Sequence, residues 1–204
     1  MVAGGTALRT RLEFSADLGR HSLDVHLLSC VVALAAAEVD GPFGLCHALG
    51  LGPRALMSLL QDFFGSIDPE LGDMLGEETE ASEEELRLRR LLTRSGRTRS
   101  RFEGMVALIL ARRCLRPHHL WQDLGLDSRE ELGLVMRRHF PSLVRRNAGG
   151  MRWKKFLYRM VCADDDHAWC SAPTCEECEE REGCFGGEGG ASLLAGSLHG
   201  CDKS

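Results

Sequence analysis

An apolar segment near the N terminus most constrains how this 204-residue chain can fold. Residues 24–38, which include the run "LLSCVVALAAA", are apolar on nearly every face of a helix. A helix without a polar face must be surrounded by other elements, because water would otherwise contact its apolar side chains. The run is about half as long as a bilayer-spanning helix. It therefore predicts a buried central helix.

Helical periodicity in the remaining segments predicts an all-α fold around this helix. Apolar side chains recur every three or four positions in residues 53–63, 102–110, 132–136 and 153–161. Ser82 with Glu85, and Ser128 with Glu131, form the capping-box pattern that begins a helix. Little of the sequence alternates with period two, so we expect a single helical domain.

Composition and motifs exclude several classes of function. Hydrophobic residues make up 44% and charged residues 27%, as in ordinary globular proteins. The N terminus lacks the apolar core of a signal peptide, so we expect a cytoplasmic protein with no membrane association. In that reducing compartment, nine cysteines point to metal or redox chemistry and not to disulfides. No hydrolase, phosphate-loop or zinc-protease motif is present, so we do not expect an enzyme.

Four of the cysteines form a cluster in "CSAPTCEECEEREGC", with the spacing Cys170-x4-Cys175-x2-Cys178-x5-Cys184. A structural zinc site usually has two short Cys-x2-Cys knuckles, and only one is present. The x4-then-x2 spacing matches the first three ligands of plant-type iron–sulfur proteins. Thiolates bind zinc, copper(I) and iron–sulfur clusters alike. The spacing therefore predicts a metal site but leaves zinc, an iron–sulfur or mixed-metal cluster and redox-switch thiols open.

Charge is divided sharply on the two sides of this cluster. Residues 137–159 contain eight Arg or Lys and no acid, whereas acids dominate residues 164–182. The basic helix before the cysteines can offset the charge of a thiolate-bound cluster, attract an oxyanion such as molybdate or dock an acidic partner. It can equally be the solvated face of an amphipathic helix. The net charge of −5 gives no reason to expect nucleic-acid binding.

These residues carry a resemblance to a known family. The run "MRWKKFLYRMVC", followed by the four-cysteine motif, resembles the NifQ family of biological nitrogen fixation. "ARRCLRPHHLWQDLGL", "RRHFPSLVRRN" and "DVHLLSCVVALA" are similar to further family segments. The resemblance covers about residues 20–186 and is weakest over residues 65–101.

The resemblance implies a role as well as a site. It implies that Cys170, Cys175, Cys178 and Cys184 ligate a molybdenum–iron–sulfur cluster. It also implies that the protein donates molybdenum to the NifEN scaffold and NifH, which assemble the iron–molybdenum cofactor of nitrogenase. Molybdenum in such a cluster has positions that sulfides do not fill, and the candidate ligands for them are Cys162, His167, His118 and His119. The alternative is an interaction or nucleic-acid-binding protein with a structural zinc knuckle.

We expect four regions along the chain. Residues 1–20 form a flexible N terminus, residues 21–162 the helical domain and residues 163–186 a cysteine-rich, cluster-binding loop. Residues 187–204 are rich in glycine and include Cys201. They predict a flexible tail.

Overall fold

The computed structural model describes residues 4–39, 44–65, 68–77, 79–164 and 184–196. Within these ranges the protein is all-helical, which confirms the predicted fold class of a single helical domain. The helices are α1 (Gly5–Ser15), α2 (Ser22–Glu38), α3 (Gly44–Leu49), α4 (Pro53–Phe64), α5 (Pro69–Asp73), α6 (Glu83–Ser95), α7 (Arg101–Cys114), α8 (Leu120–Asp123), α9 (Arg129–His139), α10 (Pro141–Arg146), α11 (Trp153–Asp164) and α12 (Leu193–Gly196).

Helix α2 lies at the centre of the fold, as its sequence predicts. Its middle residues, from Cys30 to Ala33, are completely buried. Helices α1, α3, α9 and α12 pack around it. Helix α7 is the second buried helix and contacts α3, α6 and α8. The apolar faces of the outer helices are therefore buried against two central ones.

Two helix starts follow the predicted capping boxes. The Ser82 hydroxyl accepts a hydrogen bond from the Glu85 amide at 3.2 Å, and Ser128 accepts one from Glu131 at 3.3 Å. The turn after α8 needs glycine, because Gly125 has a φ of 71°. A Cβ at this position would lie 2.8 Å from the Cys30 carbonyl oxygen. The close approach of this turn to α2 thus excludes a side chain.

The N-terminal region differs from the flexible segment expected over residues 1–20. Residues 5–15 form α1, and its Leu8 and Leu12 are 2% and 3% exposed. These leucines are four positions apart and lie on one face of the helix, which packs on α2. The Asp17 amide also donates to the Phe63 carbonyl at 2.8 Å. Burial of a short apolar stripe therefore orders this region.

The flexible tail expected after residue 186 is not confirmed. Leu194 of α12 is only 1% exposed and belongs to the core. Its carbonyl accepts a hydrogen bond from the Thr6 hydroxyl at 3.2 Å, and the Gln122 side chain donates to the Ala191 carbonyl at 2.9 Å. Residues 184–196 thus return to the helical body, while residues 197–204, with Cys201, lie outside the described residues.

No helix in the described ranges is both long enough and apolar enough to cross a membrane.

Candidate metal centre

The last cysteine of the motif is attached to the start of α11. Cys184 is half-buried, and its carbonyl accepts a hydrogen bond from the Arg152 amide at 2.8 Å. The Arg152 guanidinium donates to the carbonyls of Gly186 at 3.2 Å and Gly187 at 2.9 Å. A single residue therefore fixes the backbone on both sides of Phe185. The other motif cysteines, Cys170, Cys175 and Cys178, lie outside the described residues.

Helix α11 holds both ends of the cysteine-rich segment. It runs from Trp153 to Asp164, and residues 165–183 follow it directly. Twelve helical residues extend about 18 Å. The segment thus leaves from one end of α11, and Cys184 returns to the other end. Because Phe156 and Leu157 are buried, α11 gives this segment a rigid support.

Two cations of the predicted basic helix have structural partners. Besides Arg152, Lys154 pairs with the carboxylate of Asp123, which is 1% exposed, and donates to the Arg116 carbonyl at 2.5 Å. A buried carboxylate needs such a partner, because removal from water otherwise favours its neutral form. Lys155 and Arg159 are exposed. The basic helix is therefore partly a structural element.

The two adjacent histidines predicted as candidate ligands lie at the start of α8. His118 Nδ1 is 3.2 Å from Asp123 Oδ1. His119 is the N-cap of α8, and its amide donates to Gln122 Oε1 at 3.3 Å. The His118 ring thus contacts a buried carboxylate, whereas the His119 backbone begins α8. His167 lies outside the described residues, and Cys162 is half-buried near the end of α11.

A buried carboxylate that the sequence did not reveal lies close to His119. The Glu188 side chain is 3% exposed, with Oε1 at 4.0 Å from His119 Nδ1 and 3.9 Å from Arg129 Nη1. Its Oε2 has no hydrogen-bond partner among the described residues. Glu188 is four positions after Cys184, within the run "FGGEGG". Its glycine-rich surroundings suggested a flexible tail, so only the tertiary structure shows its burial.

Buried cysteines elsewhere are poor metal ligands in their protonated form. Burial raises the pKa of both Cys30 and Cys114 to about 12. Their thiols therefore stay protonated near neutral pH, and the thiolate is the form that binds metals. Cys46 is also buried. These three cysteines therefore pack as small hydrophobic residues.

A second group of potential ligands surrounds His26 on α2. His26 Nδ1 is 3.1 Å from Glu13 Oε1, and Nε2 is 3.2 Å from Glu131 Oε2. Potential ligand atoms lie within 4.8 Å of one another in two overlapping sets: Glu13, His26 and Cys30, and His26, Asp127 and Glu131. Both imidazole nitrogens already lie within hydrogen-bond distance of carboxylates, so these contacts account for the arrangement. His26 stands in no distinctive sequence pattern, because Glu13 lies on α1 and Glu131 on α9.

The fold and the candidate site together define a helical protein in which the two ends of α11 anchor the two ends of a cysteine-rich segment. A family model described as NifQ matches residues 27–186. A NifQ homolog of Sinorhizobium fredii (strain NBRC 101917 / NGR234) is 38% identical over 182 residues, covering 87% of this chain and 78% of the relative. NifQ of Azotobacter vinelandii is 36% identical over 181 residues, covering 83% and 92%. NifQ of Klebsiella pneumoniae is 51% identical over 83 residues, covering 40% and 50%.

The chain therefore belongs to the NifQ family, which confirms the resemblance found in the sequence. The matched residues include the whole cysteine motif and α11, but exclude α1 and α12. No solved structure matches the chain.

Proposed function

We propose that the protein carries a molybdenum–iron–sulfur cluster and donates its molybdenum to the biosynthesis of the iron–molybdenum cofactor of nitrogenase. Membership of the NifQ family supports a role in this biosynthesis. The observation that carries the proposal is the family match across all four cysteines, Cys170, Cys175, Cys178 and Cys184. In this proposal the protein is a cytoplasmic carrier and not an enzyme, and NifEN and NifH receive the metal.

The chemistry of the cysteine motif suits this cargo. Four thiolates can ligate the iron atoms of an iron–sulfur cluster, because these clusters favour soft sulfur ligands. Cys184 is half-buried, whereas Cys30 and Cys114 are buried in the apolar core. The Cys184 side chain is therefore not enclosed by that core. The hydrogen bonds from Arg152 hold the backbone around Cys184 without using its thiol. The arrangement supports a cluster attached at the surface of the helical body, from which a partner can take the metal.

The proposal is tested by measuring metal content and nitrogen fixation in matched cysteine variants. Protein purified without oxygen should contain iron, acid-labile sulfide and molybdenum, and Cys178→Ala should lose most of the iron and sulfide. Cys201→Ala is the control, since Cys201 lies outside the motif. In cells, Cys178→Ala should impair nitrogen fixation when molybdate is scarce and much less when it is abundant.

Two outcomes would reject this function. A colourless wild-type protein with stoichiometric zinc and no ability to accept a cluster would support the zinc-knuckle alternative. Equal impairment of nitrogen fixation by Cys178→Ala at scarce and abundant molybdate would contradict a supply role, even if the cluster is present.

A further inference from the structure

A cavity of about 390 Å³ lies beside the C-terminal ends of α2 and α7 and the helix α3. Its polar lining comes from Glu38, His47, Arg112 and Arg116, and Ala48 lies on its wall. Cys184, the motif cysteine that the structure describes, does not line it.

The charges around this cavity do not balance. Glu85, which is completely buried, accepts from Arg89 Nε at 2.8 Å and from Arg112 Nε at 3.1 Å. Glu38 Oε2 accepts from Arg113 Nη1 and Arg116 Nη2, both at 2.6 Å. Among the described residues, four guanidinium groups therefore share two carboxylates. Of these six groups, Arg112, Arg116 and Glu38 line the cavity, so two guanidinium groups lie there beside one carboxylate.

Some of the buried guanidinium nitrogens also lack an acceptor. Arg112 is 9% exposed, and its Nη2 has no hydrogen-bond partner in the described ranges. The same holds for Nε and Nη2 of Arg113, whose side chain is fully buried. Leaving a charged donor unsatisfied in the interior is unfavourable, and native structures rarely do so without a bound partner. Of these two arginines, Arg112 lines the cavity. Its Nη2 is a buried, charged donor that no described residue satisfies.

The protonation of His47 is consistent with a positive potential in the cavity. Burial lowers the pKa of His47, and the charges of Arg112 and Arg116 lower it further. His47 Nδ1 lies 2.7 Å from the Thr79 hydroxyl, which fixes the ring at the cavity wall. The neighbouring cations thus favour a neutral imidazole and an added negative charge.

We infer that this cavity is a binding site for a tetrahedral oxyanion, with Arg112 and Arg116 as its main ligands. Guanidinium groups match such anions because their N–H donors form parallel, charge-assisted hydrogen bonds to two oxygens. The Glu38 carboxylate does not block the site electrostatically, since two arginines already neutralise it. The assignment of molybdate as the natural oxyanion rests on the proposed function. The inference that the cavity binds an oxyanion rests on its arginines instead.

Calorimetric titration of the full-length, cluster-free protein with molybdate, sulfate and phosphate tests this site. The wild type should bind saturably, and Arg116→Gln should weaken binding at least about tenfold by removing one charged donor. The Arg116 side chain is 43% exposed, so its replacement should preserve the fold. Arg137→Gln, at an exposed position of α9, is the charge-matched control and should bind as the wild type does.

A second pair of variants tests the cavity without removing an arginine. Ala48→Glu should abolish binding by placing a carboxylate on the cavity wall, whereas Ala48→Gln, of the same size, should retain more of it. Molybdate binding tighter than sulfate and phosphate binding identifies an entry site for molybdate. Similar binding of all three identifies a general oxyanion site.

The inference is overturned if none of the three anions binds saturably, or if Arg116→Gln binds as tightly as the wild type. Its failure can be told apart from failure of the proposed function. Cys178→Ala should lose the cluster yet keep oxyanion binding, because the described lining of the cavity comes from α3 and from the C-terminal ends of α2 and α7. A wild type that holds the cluster but binds no oxyanion would reject the cavity site alone.

Discussion

Two buried carboxylates, Asp24 on α2 and Glu85 on α6, are both paired with arginine but have different surroundings. Asp24 accepts from Arg138 Nε at 2.8 Å and Nη2 at 2.9 Å, and from His139 Nε2 at 2.9 Å. Glu85 is shared by two guanidinium groups, but its Oε2 and the Arg112 Nη2 both lack a hydrogen-bond partner among the described residues. Both carboxylate oxygens of Asp24 are hydrogen-bonded, whereas the Glu85 cluster leaves a buried acceptor and a buried donor unpaired.

The network around Asp24 extends through His139 to Glu103. His139 Nδ1 lies 3.7 Å from Glu103 Oε1, and Glu103 Oε2 accepts from the amides of Thr98 and Arg99 at 2.7 and 2.8 Å. It connects α2, α7 and α9, which are distant in sequence. Complete satisfaction is typical of a structural cluster, whereas unused buried donors are typical of a ligand site. We therefore expect the Asp24 cluster to stabilise the fold and the Glu85 cluster to lie beside a binding site.

The largest expected effect comes from breaking the Asp24 cluster. Asp24→Ala leaves Arg138 and His139 without their shared acceptor and should lower the free energy of unfolding by about 3–5 kcal/mol. Urea unfolding measures this loss. Asp62→Ala, at an exposed position of α4, is the control and should change stability by less than about 0.5 kcal/mol. A loss no greater than that of the control would show that the cluster is not structural.

The sequence could predict the elements but not these clusters. The all-round apolar character of α2 and the capping boxes at Ser82 and Ser128 are local signals, and the structure agrees with them. By contrast, Asp24 and Arg138 are 114 positions apart, and no local pattern links them. Acids on helices usually face solvent, so the burial of Glu85 could not be predicted from the sequence.

The candidate metal centre shows the same limit. Its four cysteines were identified from their spacing and the resemblance to NifQ, because ligand spacing is itself a sequence pattern. The anchoring of Cys184 by Arg152 was not predicted, since a side chain that binds backbone carbonyls leaves no sequence signature. Glu188 and Leu194 were missed for a related reason: the glycines around them suggested a chain without tertiary contacts.

Unfolding at a series of pH values tests the structural role of the Asp24 carboxylate. Burial alone would raise the pKa of Asp24, but hydrogen bonds and charges from His139 and Arg138 outweigh it and lower this pKa below 3.8. The contribution of the carboxylate is therefore complete above pH 3.8 and lost as the pH falls through the lower, folded-state pKa. Urea unfolding from about pH 6 to about pH 3 should show the wild type and Asp24→Asn converging in stability. A constant gap between them would contradict the role of ionised Asp24.

The smallest expected effect is the stabilisation of the folded protein by a bound anion. An anion that binds only the folded protein should stabilise it by about 1.4 kcal/mol at ten times its dissociation constant. Molybdate or sulfate should produce this gain in the wild type and in Asp24→Asn, because Asp24 does not line the cavity. Arg116→Gln, unfolded in the same salt, reports the non-specific effect of the anion and should show a much smaller gain. Equal gains in the wild type and Arg116→Gln would mean that the cavity lined by Arg112 and Arg116 does not bind the anion.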